Sequence, residues 1–116
     1  MRIALDAMGS DDCPLPEVQA AVEAAHQFQD EIFLAGPQQE LERQLRSLDQ
    51  PPALVRLVNA AETITMKDKG LALALKAKRK GSKTSMAVGM DLVNDKKADV
   101  FITAGNTGGA MATAYY

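Results

Sequence analysis

Tryptophan is absent from this 116-residue chain, and two Tyr and three Phe are all its aromatic residues. A core must therefore be built from Ala, Leu, Val, Ile and Met. A binder that stacks bases on aromatic rings set among lysines is disfavoured by the same shortage. The one cysteine, Cys13, excludes an internal disulfide and fits a reducing cytosol. No histidine stands near it in the sequence, so a nucleophilic or redox role has little support. The one histidine, His26, falls mid-helix in a polar stretch and reads as exposed. No apolar run approaches the length of a membrane span, and Met1–Asp6 is too short and too soon acidic for a signal peptide. Neither sign of charge dominates: 13 basic against 15 acidic residues give a net charge of −2, which argues against a general nucleic-acid binder. Zinc-ligand spacing, a Walker loop and a nucleophile elbow are all missing, so no metal or cofactor is expected. The length allows one domain, residues 1–116, with a modest core.

What is present is an alternation of strand and helix patterns. Arg2-Ile-Ala-Leu5 reads as a first strand. Pro16 suits a first helical turn, with Glu17 favourable at the positive end of the dipole, and Val18, Ala21, Val22, Ala25 and Phe28 follow helical spacing as an inward face. Ile32–Ala35 is a second strand closed by Gly36-Pro37. Leu41, Leu45 and Leu48 mark a second helix that Pro51-Pro52 ends, and Leu54–Val58 is a third strand. Thr63–Lys83 is ambiguous, because Leu71–Leu75 alternates like a strand while Leu, Ala and Lys favour helix; the reading adopted is a helix. Met86, Gly89, Met90 and Val93 then share a helical face, with Thr84 or Ser85 as N-cap. Asp99–Thr103 is a last strand. Such alternation predicts a parallel sheet with right-handed crossovers.

Three stretches can carry chemistry. Ala98–Ala112 runs from a buried-strand composition into Ala104-Gly-Asn-Thr-Gly-Gly109 and then into helix-forming residues. Strand, glycine-rich turn and helix start bring backbone N–H groups onto something negative. An ordinary strand-to-helix turn is the plain alternative, and Asn106 and Thr107, two side chains able to hydrogen-bond a ligand at its mouth, favour the functional one. Lys67, Lys69, Lys76, Lys78, Arg79, Lys80 and Lys83 crowd one segment with only Asp68 against them. That run is either a solvated helix face or an anion site for phosphate or an acidic partner, with Ser82, Thr84 and Ser85 as nearby hydroxyl donors. Asp6, Asp11 and Asp12 form an acid-rich loop around Gly9. Helix capping accounts for Asp11 or Asp12, whereas Asp6 sits at a strand's carboxyl end, where ligands gather in open α/β sheets.

With those residues in hand, the chain resembles the N-terminal part of the PlsX-type phosphate acyltransferases of fatty acid and phospholipid synthesis. The resemblance rests on Ile3–Gly9 with Asp11 and Pro14, on Met66–Lys69 through the basic stretch to Ser85-Met86, and on Ala98-Asp99 through Ala104–Gly108. It departs from the pattern at Ser10, where glycine is usual, at Asp12, commonly His, and at Gly70, usually Pro. Lys83-Thr84 interrupts a typical Ser-Ser-Met, and Gly109 precedes Ala110 where Ala-Leu is usual. The family's proteins are longer. A chain ending at Tyr116 is therefore expected to lack later strands beside Asp99–Thr103, leaving an exposed sheet edge prone to self-association.

The resemblance implies a three-layer α/β/α fold with a mainly parallel sheet, similar to that of isocitrate and isopropylmalate dehydrogenases. It also implies acyl transfer from acyl carrier protein to inorganic phosphate, a homodimer, and a cytoplasmic location with peripheral attachment to the inner face of the membrane. Carried onto this chain, Asn106, Thr107 and the backbone of Gly105 and Gly108 would hold phosphate or the reacting carbonyl. Lys76, Lys78, Arg79 or Lys80 would supply positive charge or meet the carrier protein, Ser85 would be a further donor, and Asp6 would position. Two other readings stand beside this one. The chain could act on another substrate class on a related fold, as a phosphate acetyltransferase or a decarboxylating dehydrogenase does, or be a binding module that keeps an anion pocket without catalysis.

Overall fold

A computed structural model describes residues 1–48, 53–62, 84–105 and 113. Within them lie strands β1 (Arg2–Asp6), β2 (Glu31–Gly36), β3 (Val55–Asn59) and β4 (Val100–Ile102), and helices α1 (Leu15–Phe28), α2 (Gln38–Arg46) and α3 (Ser85–Asn94). The sheet order is β3-β2-β1-β4, and every pairing is parallel, with Ile3 beside Ile32 and Val100, and Leu34 beside Leu57. The helix expected over Thr63–Lys83 and the one expected after Gly109 lie outside the described residues, Thr113 excepted.

Strand alternation divides the core into two. Ile3, Leu5, Ile32, Leu34, Val55 and Leu57 pack with Val18, Ala21 and Ala25 of α1 and Leu41 and Leu45 of α2. The opposite set, Ala4, Phe33, Val58 and Phe101, packs with Leu92, Val93 and Ala98. Helices thus cover both faces, and three α/β/α layers result, as the alternating pattern requires. At the amino ends of the strands, Arg2 joins β1 to the residue preceding β4. Its N–H and guanidinium donate to the Asp99 carboxylate at 2.9 and 3.1 Å, and the Asp99 N–H donates to the Arg2 carbonyl at 2.8 Å. Hydrogen bonding to Arg2 holds the Asp99 carboxyl below its ordinary range.

Two expectations are corrected. Phe28 does not join the inward face of α1; it is 64% exposed, whereas Val18, Ala21 and Ala25 are buried. It is the last residue of the helix, and the chain leaves at once through Gln29 in the left-handed region, φ 59°. Nor do Asp11 and Asp12 cap α1: among the described residues no side chain does so, and both stay exposed. Pro14 occupies the cap position and Pro16 the first turn. A proline there has no N–H to be capped, so less is gained from a carboxylate.

The third layer depends on a missing side chain. A Cβ on Gly89 of α3 would lie 2.2 Å from Cε1 and 2.5 Å from Cδ1 of Phe101. Helix propensity alone favours Ala over Gly by about 1 kcal/mol, whereas overpacking costs about 1–3 kcal/mol. Gly89→Ala is therefore expected to lower the unfolding free energy in a urea titration. Adding Phe101→Leu, which trims the ring, is expected to recover part of the loss.

Candidate functional site

After β3 the chain crosses back over β1 to place β4 on its other side. A reversal of this kind leaves a crevice outside the carboxyl ends of the two strands that flank it, here β1 and β4. Asp6 closes β1 at that crevice and is 1% exposed. Its Oδ1 accepts the Met8 N–H at 3.0 Å and its Oδ2 accepts the Thr103 hydroxyl at 2.8 Å. Thr103 Oγ1 in turn accepts the Gly105 N–H at 3.0 Å. One carboxylate thus sets the loop after β1 and the loop after β4 in a fixed relation, across 97 residues of sequence.

The two loops touch through backbone. A Cβ on Gly9 would stand 3.0 Å from the Gly105 nitrogen and 3.1 Å from that of Ala104. A Cβ on Gly105 would stand 2.7 Å from Met86 Cε of α3 and 3.1 Å from Thr103 Oγ1. A side chain at Gly9 would press on backbone of the other loop, whereas one at Gly105 would first displace the flexible end of Met86. The first loop is held further by Glu17, 7% exposed, whose two carboxylate oxygens accept the Ser10 N–H at 2.9 Å and the Ser10 hydroxyl at 2.8 Å. Ser10 departs from the glycine that the resemblance leads one to expect, and its hydroxyl supplies a bond that glycine lacks. Burial pushes the Cys13 thiol up, and the nearby Glu17, Asp6 and Asp11 charges push it further. A thiol so placed is held protonated, the opposite of an activated nucleophile. At the start of α3, Thr84 is the N-cap, its Oγ1 accepting the Ala87 N–H at 3.2 Å.

Of the residues singled out from the sequence, the structure places Asp6 and Gly105 in this crevice and Ser85 on the first turn of the adjoining α3. Asn106, Thr107, Gly108, Lys76, Lys78, Arg79 and Lys80 lie outside the described residues. The Gly105 N–H is committed to Thr103, so Gly105 contributes close approach rather than a free donor. Thr103, Glu17, Ser10 and Gly9 were not distinguished as site residues by sequence reasoning. A hydroxyl ending an apolar strand one residue before a glycine turn is the signal for Thr103; Glu17 carries none beyond its favourable place in a first turn. A separate open concavity of about 570 Å³ lies at the ends of β2 and β3, lined by Pro37, Gln38, Gln39, Glu42, Asn59 and Ala61.

The family described as "Fatty acid synthesis protein" matches residues 1–116. A phosphate acyltransferase of Koribacter versatilis is 48% identical over 115 residues, covering 98% of this chain and 31% of that protein. One from Acidobacterium capsulatum is 44% identical over 113 residues, covering 97% and 32%, and one from Syntrophomonas wolfei is 40% identical over 117 residues, covering 100% and 35%. The chain thus spans about a third of the length of the curated relatives it matches.

Thr103→Val keeps the shape and removes both hydrogen bonds, leaving one oxygen of buried Asp6 without its partner. A loss of about 1–3 kcal/mol in unfolding free energy is expected, with Thr103→Ser near wild type; equal stability of the Val variant would deny the network its role. For Cys13, a raised pKa means less thiolate at any pH below it. Alkylation by iodoacetamide at pH 8 is expected to run slower than that of a free cysteine peptide, with the rate still climbing at pH values where the peptide has levelled off.

Proposed function

This chain belongs to the fatty acid synthesis protein family, and on that premise we propose that its residues supply the anion-holding part of an acyltransferase. The reaction is transfer of an acyl group from acyl carrier protein to inorganic phosphate, forming an acyl phosphate for phospholipid synthesis. The observation that carries the reading is the Asp6–Thr103–Gly105 chain of hydrogen bonds. It fixes Gly105, the first glycine of the glycine-rich sequence, where an α/β sheet offers its ligand crevice. That relatives sharing 40–48% identity with this chain are named phosphate acyltransferases supports the substrate class.

The chemistry asks little of a protein nucleophile, because phosphate is itself nucleophilic at neutral pH. A phosphate oxygen adds to the thioester carbonyl, the C–O bond forms, and the C–S bond breaks as the carrier thiolate leaves and takes up a proton. The protein has to hold an anion against an activated ester and stabilise the oxyanion that develops. In this proposal Asn106, Thr107 and the Gly108 backbone donate to the phosphate or the reacting carbonyl. Lys76, Lys78, Arg79 or Lys80 offset the phosphate charge or meet the acidic carrier protein. Asp6 acts as a positioning residue, through Thr103. A homodimer and peripheral attachment to the cytoplasmic face of the membrane belong to the same proposal.

The test is an assay of the intact protein with acyl carrier protein loaded with a fatty acyl chain, following acyl phosphate as product. Asn106→Ala is expected to reduce kcat about 10²–10³-fold, the usual loss on removing one oxyanion donor. Unchanged turnover would remove Asn106 from the centre of the mechanism. Phosphate binding without any product would instead favour the anion-binding module, and product formed only from acetyl-CoA would favour a phosphate acetyltransferase.

A further inference from the structure

The first turn of α3 contains hydrogen-bonding groups that find no partner among the described residues. Past the N-cap Thr84, the N–H groups of Ser85, Met86 and Ala87 have no intrahelical acceptor. Ser85 donates to the Glu62 carbonyl at 3.0 Å and Ala87 to Thr84 Oγ1 at 3.2 Å, and the ordinary helical ladder begins with Val88 donating to the Thr84 carbonyl at 3.0 Å. The remaining one, on Met86, has no acceptor among the described residues. Beside it Ser85 is 1% exposed, and its hydroxyl oxygen is buried without a hydrogen-bond partner. A buried hydroxyl with no partner is costly, and each such group in a native fold calls for an explanation. Here a buried hydroxyl and the N–H next to it lack acceptors among the described residues.

Their position bears on what would satisfy them. The helix N-terminus carries the positive end of the dipole. Met86 Cε lies against Gly105, at 2.7 Å from where a Cβ of that residue would be, so this turn adjoins the crevice between β1 and β4. α3 packs on the sheet face that carries Ala4 and Phe101, and strand alternation puts Asp6 on that same face. A ligand drawn there is an anion with acceptor oxygens spread widely enough to meet a hydroxyl and a backbone N–H together.

We propose that the first turn of α3 is the inorganic phosphate subsite, with the Ser85 hydroxyl and the Met86 N–H donating to two phosphate oxygens. This rests on the acyltransferase reading for the choice of anion and deepens it by separating two tasks. Phosphate is held at α3, which leaves the glycine turn beginning at Gly105 free to serve the acyl carbonyl. Nothing covalent happens at Ser85. It binds and orients the nucleophile.

The test uses the intact protein, with inorganic phosphate alone as the first probe. Without phosphate, Ser85→Ala is expected to melt at or above the wild-type temperature, since it deletes an unpaired hydroxyl and leaves the cap on Thr84 intact. Added phosphate is expected to raise the Tm of the wild type and to raise that of Ser85→Ala distinctly less. Phosphate affinity by calorimetry is expected to fall about tenfold or more, the usual range for a hydrogen bond to a charged group. In the acyl phosphate assay the same factor is expected in KM for phosphate, with KM for the acylated carrier unchanged. Equal phosphate affinity in the two proteins, or no binding by either, overturns the proposal. Serine-dependent phosphate binding with no acyl phosphate formed upholds the subsite and rejects the acyltransferase reading. Acyl phosphate formed by Ser85→Ala with an unaltered KM for phosphate does the reverse.

Discussion

A carboxylate withdrawn from water at the end of the first strand has to find its compensation inside the protein, and Asp6 finds it in two places. One is local, the Met8 N–H two residues on. The other is the Thr103 hydroxyl at the end of the fourth strand. A buried charge left without such donors would cost far more than the net gain of an ordinary hydrogen bond. The second contact is therefore a constraint as well as an attraction: β4 must arrive beside β1 in the register that presents Thr103. The parallel pairing of Ile3 with Val100 and Leu5 with Ile102 delivers it.

Much else in the crevice follows from that constraint. Once Thr103 is committed to Asp6, its oxygen takes the Gly105 N–H, and the position of Gly105 is fixed. The loop after β1 is brought so close that a Cβ at position 9 would stand 3.0 Å from the Gly105 nitrogen. Its far side is tied down by Ser10 on Glu17. Burial first, and then two carboxylates each engaged by donors on the same short loop, make the surroundings of Cys13 hostile to a thiolate. Asp6 and Glu17 are thus hydrogen-bonded and set back within the walls of the crevice, while Asp11 and Asp12 stay in solvent.

The layer arrangement serves the same end. α1 and α2 cover one face with a core of branched and small aliphatic residues. α3 covers the other through a smaller cluster in which glycine meets a phenylalanine ring. Close approach on that side brings Met86 onto Gly105, so a packing choice in the helix reaches into the crevice.

Read as a string of residues, the chain already determined its strands, the first two helices and the third, and the parallel class of the sheet. Hydrophobic spacing is a local property, and Val18, Ala21 and Ala25, or Leu41 and Leu45, declare their face without help from the rest of the chain. Asp6 was legible for the same reason, as a carboxylate placed where a strand stops. Tertiary structure alone decided what Asp6 does, since its partner Thr103 is 97 residues away and no local pattern pairs the two. The placing of Asp11 and Asp12 in solvent, the exposure of Phe28 and the burial of Glu17 were likewise decided there. Prolines at the start of α1, a left-handed turn at its end and the reach of Ser10 each set an accounting of donors and space that spacing does not express. Even the unpartnered hydroxyl of Ser85 belongs to that second class: a serine at a helix start is commonplace, and only the folded surroundings show that nothing in the described chain answers it.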